Sequence, residues 1–472
     1  MTPIPTNNAS VAEPAANLPA SRDAAKKTWT AGTLTYTSSG LIVLFAWLLM
    51  GDFAWSMRDR SIGPTSSWYL NHLGVPNLLF GLLISTFPAF MGLILGPVIS
   101  VKSDRYRSKW GRRIPFLLVT TPLAGFGMIG LAVTPFIARW VHGFFPNESE
   151  MVVSVICFGL FWAAFEAATV ASGAVFGGLI NDVVPKQLIG RFYGMFRAVS
   201  LIDGMIFNFW LTGKIPEHFT LIMGGVGIFY GAAFTWVCFK VKEGSYPPLP
   251  PADPARQGWR KGFWDGLKMY YRECFSKPYY LSIFVMLMAA VVAFVPINVF
   301  SIPYARSLGL SMDVYGKYLA LTYLISLCLS YFIGWLADYF HPLRMVIVTM
   351  SGYLIVAIWG SCYATTSQTF LIAWVLHGVL SGCYYTSSAS LTARLFPQSK
   401  FAQFYAAASI VAAPAQMSVA PLMGIIIDRA GDIYRYTFVA GCVLAVLSLV
   451  SACYVHGQFM RLGGPKNYVA PV

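Results

Sequence analysis

Charge is the scarcest property of this 472-residue chain. Asp, Glu, Lys and Arg make up only 11% of it, against 57% hydrophobic and 16% aromatic residues. A soluble fold of that composition would lack polar surface, and a mean hydropathy of +0.61 points to lipid as the main solvent. Clustered chemistry is missing too. His72, His142, His218, His341, His377 and His456 are scattered. The eight cysteines lie in or near apolar segments without metal-ligand spacing and read as packing thiols. No phosphate-binding loop or catalytic signature occurs. Asp104 has no close acidic neighbour with which to hold a metal diphosphate. No enzyme constellation remains, and no cofactor or metal is expected. Residues 1–38, rich in Ala, Pro, Asn and Ser, lack the charged-then-apolar layout of a cleavable leader and read as a disordered tail.

What the chain has in abundance is apolar runs. A hydrocarbon core about 30 Å thick needs roughly 20 apolar residues in a helix. Twelve such segments stand out: 39–56, 77–101, 114–136, 151–180, 198–213, 221–239, 281–303, 314–336, 345–365, 369–391, 405–427 and 437–456. Because backbone groups in lipid must be bonded internally, the expected fold class is an all-α membrane protein of twelve transmembrane helices in two similar six-helix bundles. The bundles are expected at 39–239 and 281–456, joined by a linker at 240–280 and followed by a tail at 457–472. Most of the 33 lysines and arginines fall in alternate loops, which places both termini in the cytoplasm. Dispersed over one membrane face, they form no groove for nucleic acid. In the linker, the proline-rich stretch from Tyr246 to Pro254 suits an extended hinge. Beyond it, Trp259, Phe263, Trp264, Leu267, Tyr270 and Tyr271 oppose Arg260, Lys261, Lys268 and Arg272 at helical spacing. That pattern fits a helix along the membrane surface or one packed on the bundle's end.

The loop after the second segment carries the most specific pattern, Gly96-Pro97 through Asp104-Arg105 to Trp110-Gly111-Arg112-Arg113 and Pro115. Gly334 to Asp338 echoes it almost half a chain later. Gly111 permits a tight return, and Pro115 suits the first turn of a helix. Arg112 and Arg113 precede that helix, where its dipole disfavours cations, so they should answer to Asp104, to lipid phosphates, or to both. A plain positive-inside anchor is the other reading. The loop resembles that of the glycoside, pentoside and hexuronide cation symporters and the related sucrose transporters, a branch of the major facilitator superfamily. The resemblance implies a two-domain carrier working by alternating access, with Asp104, Arg105, Gly111, Arg112, Arg113 and Asp338 in gating. It also implies that Asp104 latches the halves together when the carrier faces outward. Melibiose-type sodium symporters carry an aspartate on the second helix, yet residues 77–101 hold no acid, which favours protons over sodium.

Acids inside the membrane are the strongest functional candidates, since each costs roughly 2.5–3.5 kcal/mol at mid-bilayer. Asp52, Glu166 and Asp203 qualify, with Arg191 or Arg197 able to serve Asp203 as a structural partner. Trp55 and Trp162 lie one turn from Asp52 and Glu166. A carboxylate beside an indole suits a sugar, whose hydroxyls donate and whose apolar face stacks. Asn298, in a run framed by Pro296 and Pro303, is a candidate sugar contact, as are His377 and Gln416, although a lone histidine or glutamine in apolar surroundings is more often an interhelical hydrogen-bonding group. The resulting expectation is a monomeric plasma (inner) membrane transporter. It would carry a sugar or glycoside with protons through Asp52, Glu166 and Asp203, with lipids as its other partners. A lysolipid or organic-acid cargo, or a non-transporting solute sensor, are the alternatives.

Overall fold

A computed structural model describes residues 28–246 and 268–471. Long apolar runs with few breakers satisfy their own backbone groups as helices, and these dominate. They are α1 (Ser38–His72), α2 (Asn77–Arg105), α3 (Ile114–His142), α4 (Glu150–Val183), α5 (Ile189–Ile206), α6 (Ile215–Lys240), α7 (Pro278–Ser307), α8 (Met312–Phe340), α9 (Pro342–Tyr363), α10 (Ser367–Ser388), α11 (Phe401–Arg429) and α12 (Tyr436–Arg461). Between α5 and α6 the helical path runs without a loop from Ile189 to Lys240, 52 residues. At 1.5 Å per residue that is about 80 Å, more than twice a hydrocarbon core. The turn Thr212–Lys214 and the non-helical His218 break it into two passes, giving twelve crossings.

The packing repeats with an offset of six. In the first half α1 packs on α5 and α6, α3 on α4 and α6, and α2 on α4; in the second, α7 packs on α11 and α12, α9 on α10 and α12, and α8 on α10. The halves meet through α2 with α11 and α5 with α8. Small residues permit the approach: a Cβ on Gly81 of α2 would lie 2.8 Å from the Ala420 carbonyl of α11. Large apolar side chains such as Val119, Phe126, Leu160 and Ile355 stay exposed, as on a surface solvated by lipid.

An even number of crossings returns the chain to the face where it began, called here the terminal face. Among the described residues, the side-chain hydrogen bonds joining the halves lie toward the opposite face. Asn77 donates to Asp428 (2.8 Å) and Asp432 (2.9 Å), Tyr434 to Asn77 (3.0 Å), Arg306 to Asn71 (2.7 Å) and Arg60 to Tyr323 (3.0 Å), while Thr86 donates to the Met417 carbonyl (2.5 Å). Among the described residues the bundle is therefore latched at the opposite face.

One expectation is corrected. Residues 28–37 are not a structureless tail: Thr28–Ala31 and Leu34–Thr37 (β1 and β2) form an antiparallel hairpin. Its Thr33 hydroxyl accepts from the Ser245 amide at 2.9 Å, and pairing plus this dock outweigh the low apolar content. In the tail expected from residue 457, Tyr468 donates to the Leu395 carbonyl (2.8 Å) and accepts from Tyr279 (3.1 Å). The proline-rich hinge beyond Tyr246 and the aromatic face through Leu267 lie outside the described residues.

Candidate functional site

The first helix is longer than its hydropathy suggests. Arg58-Asp59-Arg60 lowers the local score and ends the apolar segment at 56, yet the helix continues to His72. That brings three further charges into the membrane span. The Arg58 guanidinium is fully buried and donates to Asp59 Oδ1 (2.5 and 3.1 Å) and to the Tyr230 hydroxyl (3.3 Å). It also lies 3.9 Å over the Trp55 ring. Helical spacing puts Asp52, Trp55, Ser56 and Asp59 on one stripe, which lines a cavity of about 430 Å³ with Phe176, Tyr193, Phe196, Arg197 and Ser200.

One turn beyond Ser200 on α5 sits Asp203. It is wholly buried, and neither carboxyl oxygen has a hydrogen bond; Asp52 Oδ2 is likewise buried and unpaired. Neither Arg191 nor Arg197 bonds Asp203. The cation nearest in function is Arg60, within electrostatic reach of both Asp203 and Asp52. Arg60 donates Nη2 to Ser200 Oγ (2.8 Å) and Nη1 to the Tyr323 hydroxyl of the other half (3.0 Å), and its buried Nε has no acceptor.

Glu166 does not join this cavity. It is buried on α4 within electrostatic reach of Arg58, so a base does face it, from another helix. Trp162, expected beside the substrate, is enclosed instead, and its indole N–H goes to the Leu83 carbonyl at 3.0 Å. In the second half, His377 is fully buried, with Nε2 donating to Asn298 Oδ1 (3.2 Å) and Nδ1 3.2 Å from the Tyr353 hydroxyl. Asn298 itself is exposed, held by His377 from behind. Gln416 is half-buried with no hydrogen bond given by the described residues.

Residues 283–458 match the model of the Major Facilitator Superfamily. The chain is similar to several solved transporters. One is a bacterial homolog of the human lysosomal transporter Spinster in an inward-facing, unoccupied conformation, at 15% identity, TM-score 0.61, covering 91% of this chain and 98% of that one. Another is a D-xylose–proton symporter, at 13% identity, TM-score 0.61, covering 91% and 97%. A third is a POT family transporter in complex with a thioalcohol-conjugated peptide, at 13%, 0.62, 88% and 96%. The chain has the major facilitator fold. A 92-residue stretch is also 28% identical to the membrane-associated transporter protein of Mus musculus, covering 19% of this chain but only 16% of that relative's length.

In this facilitator fold the charged loop after α2 is built into a relay on the terminal face. Gly111 turns the loop at φ +101°. The Arg113 guanidinium, 8% exposed, donates to Asp104, to Ser103 Oγ (2.6 Å) and to Asp182 (3.3 Å). Arg112 grips Asp182 through two bonds (2.6 and 3.0 Å), which hold its already high pKa higher still. The N-terminus of α3 is answered not by the arginines but by Glu243, whose carboxylate accepts from the amides of Arg112 (3.0 Å), Arg113 (2.8 Å) and Ile114 (2.6 Å). Tyr246 donates to Glu243 (2.8 Å) and Asp182 (3.2 Å), its hydroxyl pushed up in pKa by burial and then by Glu243. Every member belongs to the first half or to the start of the linker that follows it, so Asp104 bridges no halves in this conformation. Arg105 is exposed at the end of α2. Asp338 repeats the theme by accepting from Arg394 at 2.7 Å within the second half.

Proposed function

We propose that the protein is a secondary active transporter that carries a sugar or glycoside with protons by alternating access. It acts as a monomer in the plasma membrane with its terminal face in the cytoplasm. The observation that carries this reading is Asp203, a buried acid without one hydrogen bond, beside Asp52 at the edge of a polar and aromatic cavity. A bare carboxylate so placed costs several kcal/mol and a neutral acid less, so the site suits a group that gains and loses a proton during the cycle. The cavity is of ligand size. Trp55 and Tyr193 offer ring faces, and Asp59, Ser56 and Ser200 accept or donate to hydroxyls; Asn298, exposed in the other half, is a further proposed sugar contact. Glu166 tunes Arg58 and so the position of Asp59. Closure at the opposite face supports an inward-facing state, with Asp104, Arg105, Gly111, Arg112, Arg113 and Asp338 shaping the gate on the terminal side.

A second reading, an organic-acid cargo, is favoured by Arg197, which lines the cavity without a carboxylate bonded to it. Uptake of radiolabelled sugars and of mono- and dicarboxylates into proteoliposomes, with and without an acid-outside gradient, separates the two. Gradient-dependent sugar accumulation supports the first reading and carboxylate accumulation the second. Binding without flux in either arm would instead make the protein a sensor.

A further inference from the structure

Arg60 holds together three things that the transport reading leaves unconnected: the bare acid, the cavity and the closed face. Its Nη1 bond to Tyr323 is one of the bonds that join the halves, its Nη2 bond to Ser200 reaches the cavity wall, and its Nε is buried without an acceptor. Ser200 is one helical turn from Asp203 on α5. The Tyr323 ring packs on the backbone beside that acid, since a Cβ on Gly204 would lie 3.1 Å from it. The guanidinium thus sits beside a carboxyl it does not bond while bonding two neutral hydroxyls. Both bonds have a charged donor, but a carboxylate adds a full opposite charge and can accept two parallel N–H bonds where a hydroxyl offers only a dipole, so an ionised Asp203 outbids Tyr323 for the same guanidinium.

We infer that Arg60 couples the protonation of Asp203 to the opposite-face gate by exchanging Tyr323 for the Asp203 carboxylate. This rests on the proton-coupled reading above. With Asp203 neutral, Arg60 bridges Ser200 to Tyr323, and the opposite face is latched. When the Asp203 O–H bond breaks and its proton passes to water in the cavity, Arg60 turns to the carboxylate, the latch is lost and that face is free to open and reload. Among the described residues, the groups facing Asp203 leave no other cation for the exchange. From α1 come Arg60 and Asp52, while Asp59 is held by Arg58. α8 supplies Tyr323, and its Lys317 is engaged by Asp313 at 2.6 Å. On α5 itself Arg197 turns to the cavity.

Hydrogen–deuterium exchange on the full-length protein tests the coupling through the segments 207–216 and 312–320, which meet at the latch. Tyr323→Phe removes a hydrogen bond to a charged donor and is expected to raise exchange there about tenfold or more. Asp203→Asn, a stand-in for the neutral acid, is expected to lower it in the wild-type background and to change nothing once Tyr323 is Phe. Arg60→Lys, which keeps the charge but cannot span Ser200 and Tyr323 together, should erase the Asp203→Asn effect in the same way. Protection by Asp203→Asn that persists undiminished in either background overturns the exchange. Sugar accumulation in Asp203→Asn proteoliposomes keeps the two levels apart. If it survives, the proton-coupled reading falls; if it is lost while the protections simply add, only the role of Arg60 falls.

Discussion

Trp162 donates its indole proton to the carbonyl of Leu83, 3.0 Å away, within the π-helical turn Leu82–Thr86 of α2. A π-turn loosens the regular backbone ladder, and the indole supplies this carbonyl with a donor from α4. The same turn faces the other half, where Thr86 reaches the Met417 carbonyl. Trp162→Phe keeps the ring stacked on Phe158 but removes the donor. It is expected to lower unfolding stability in detergent by about 1–2 kcal/mol, measured by thermal melting, while sugar affinity stays within twofold. A tenfold loss of affinity at unchanged stability would return Trp162 to the substrate.

The relay on the terminal face ranks its own members. Asp182 is 16% exposed and holds two arginines, whereas Asp104 is 49% exposed and holds Arg113 chiefly. Removing one partner of a buried pair leaves an uncompensated charge, worth about 3–5 kcal/mol, while an exposed pair contributes about 0–1 kcal/mol. Asp182→Asn should therefore lower the melting temperature well beyond Asp104→Asn. Equal losses would show that Asp104 carries the loop.

Much of this was legible from composition and spacing, and the exceptions have physical causes. Apolar runs give helices because lipid leaves the backbone no other partner, so twelve crossings and the boundary near Lys240 follow from residue types. Three charges in Arg58-Asp59-Arg60 hid the rest of α1, because hydropathy scores each charge as if it faced lipid, whereas Arg58 pairs with Asp59 on the adjacent position. The cavity acid Asp52 and its indole Trp55 could be read from one stripe. Tyr193 and Tyr323 could not, since the contacts that define them come from other helices. Asp182 and Glu243 were invisible for the same reason: each meets the loop only after the chain has folded back.

Under the proposed sugar reading, Asn298 and His377 divide into contact and support. Asn298 is exposed and His377 buried behind it. Asn298→Ala should raise the half-saturating sugar concentration about tenfold, the order expected for one lost hydrogen bond to a ligand. His377→Phe should raise it less and leave the maximal rate near normal. A larger effect from His377→Phe than from Asn298→Ala, in uptake kinetics, would reverse the assignment.

His341 links stability to pH. It sits between α8 and α9 at φ +81°, and its Nδ1 accepts from the Leu343 amide at 3.3 Å. Burial, then the nearby Arg394 and Arg344, lower its pKa from 6.5 to about 4. The unfolded chain therefore binds the proton more readily, so stability is full above about pH 6.5, falls as pH drops toward about 4, and loses up to about 3 kcal/mol in all. His341→Asn tolerates the positive φ and retains an acceptor. Its melting temperature should decline less steeply over that window than the wild type's, and parallel slopes would show that His341 does not titrate there.

The most direct measurement is proton movement itself. In proteoliposomes holding a pH-sensitive dye, adding substrate sugar outside should acidify the lumen with the wild-type protein. With Asp203→Asn it should not, although the sugar still binds. Sugar entry without acidification, or acidification undiminished by Asp203→Asn, would contradict the account.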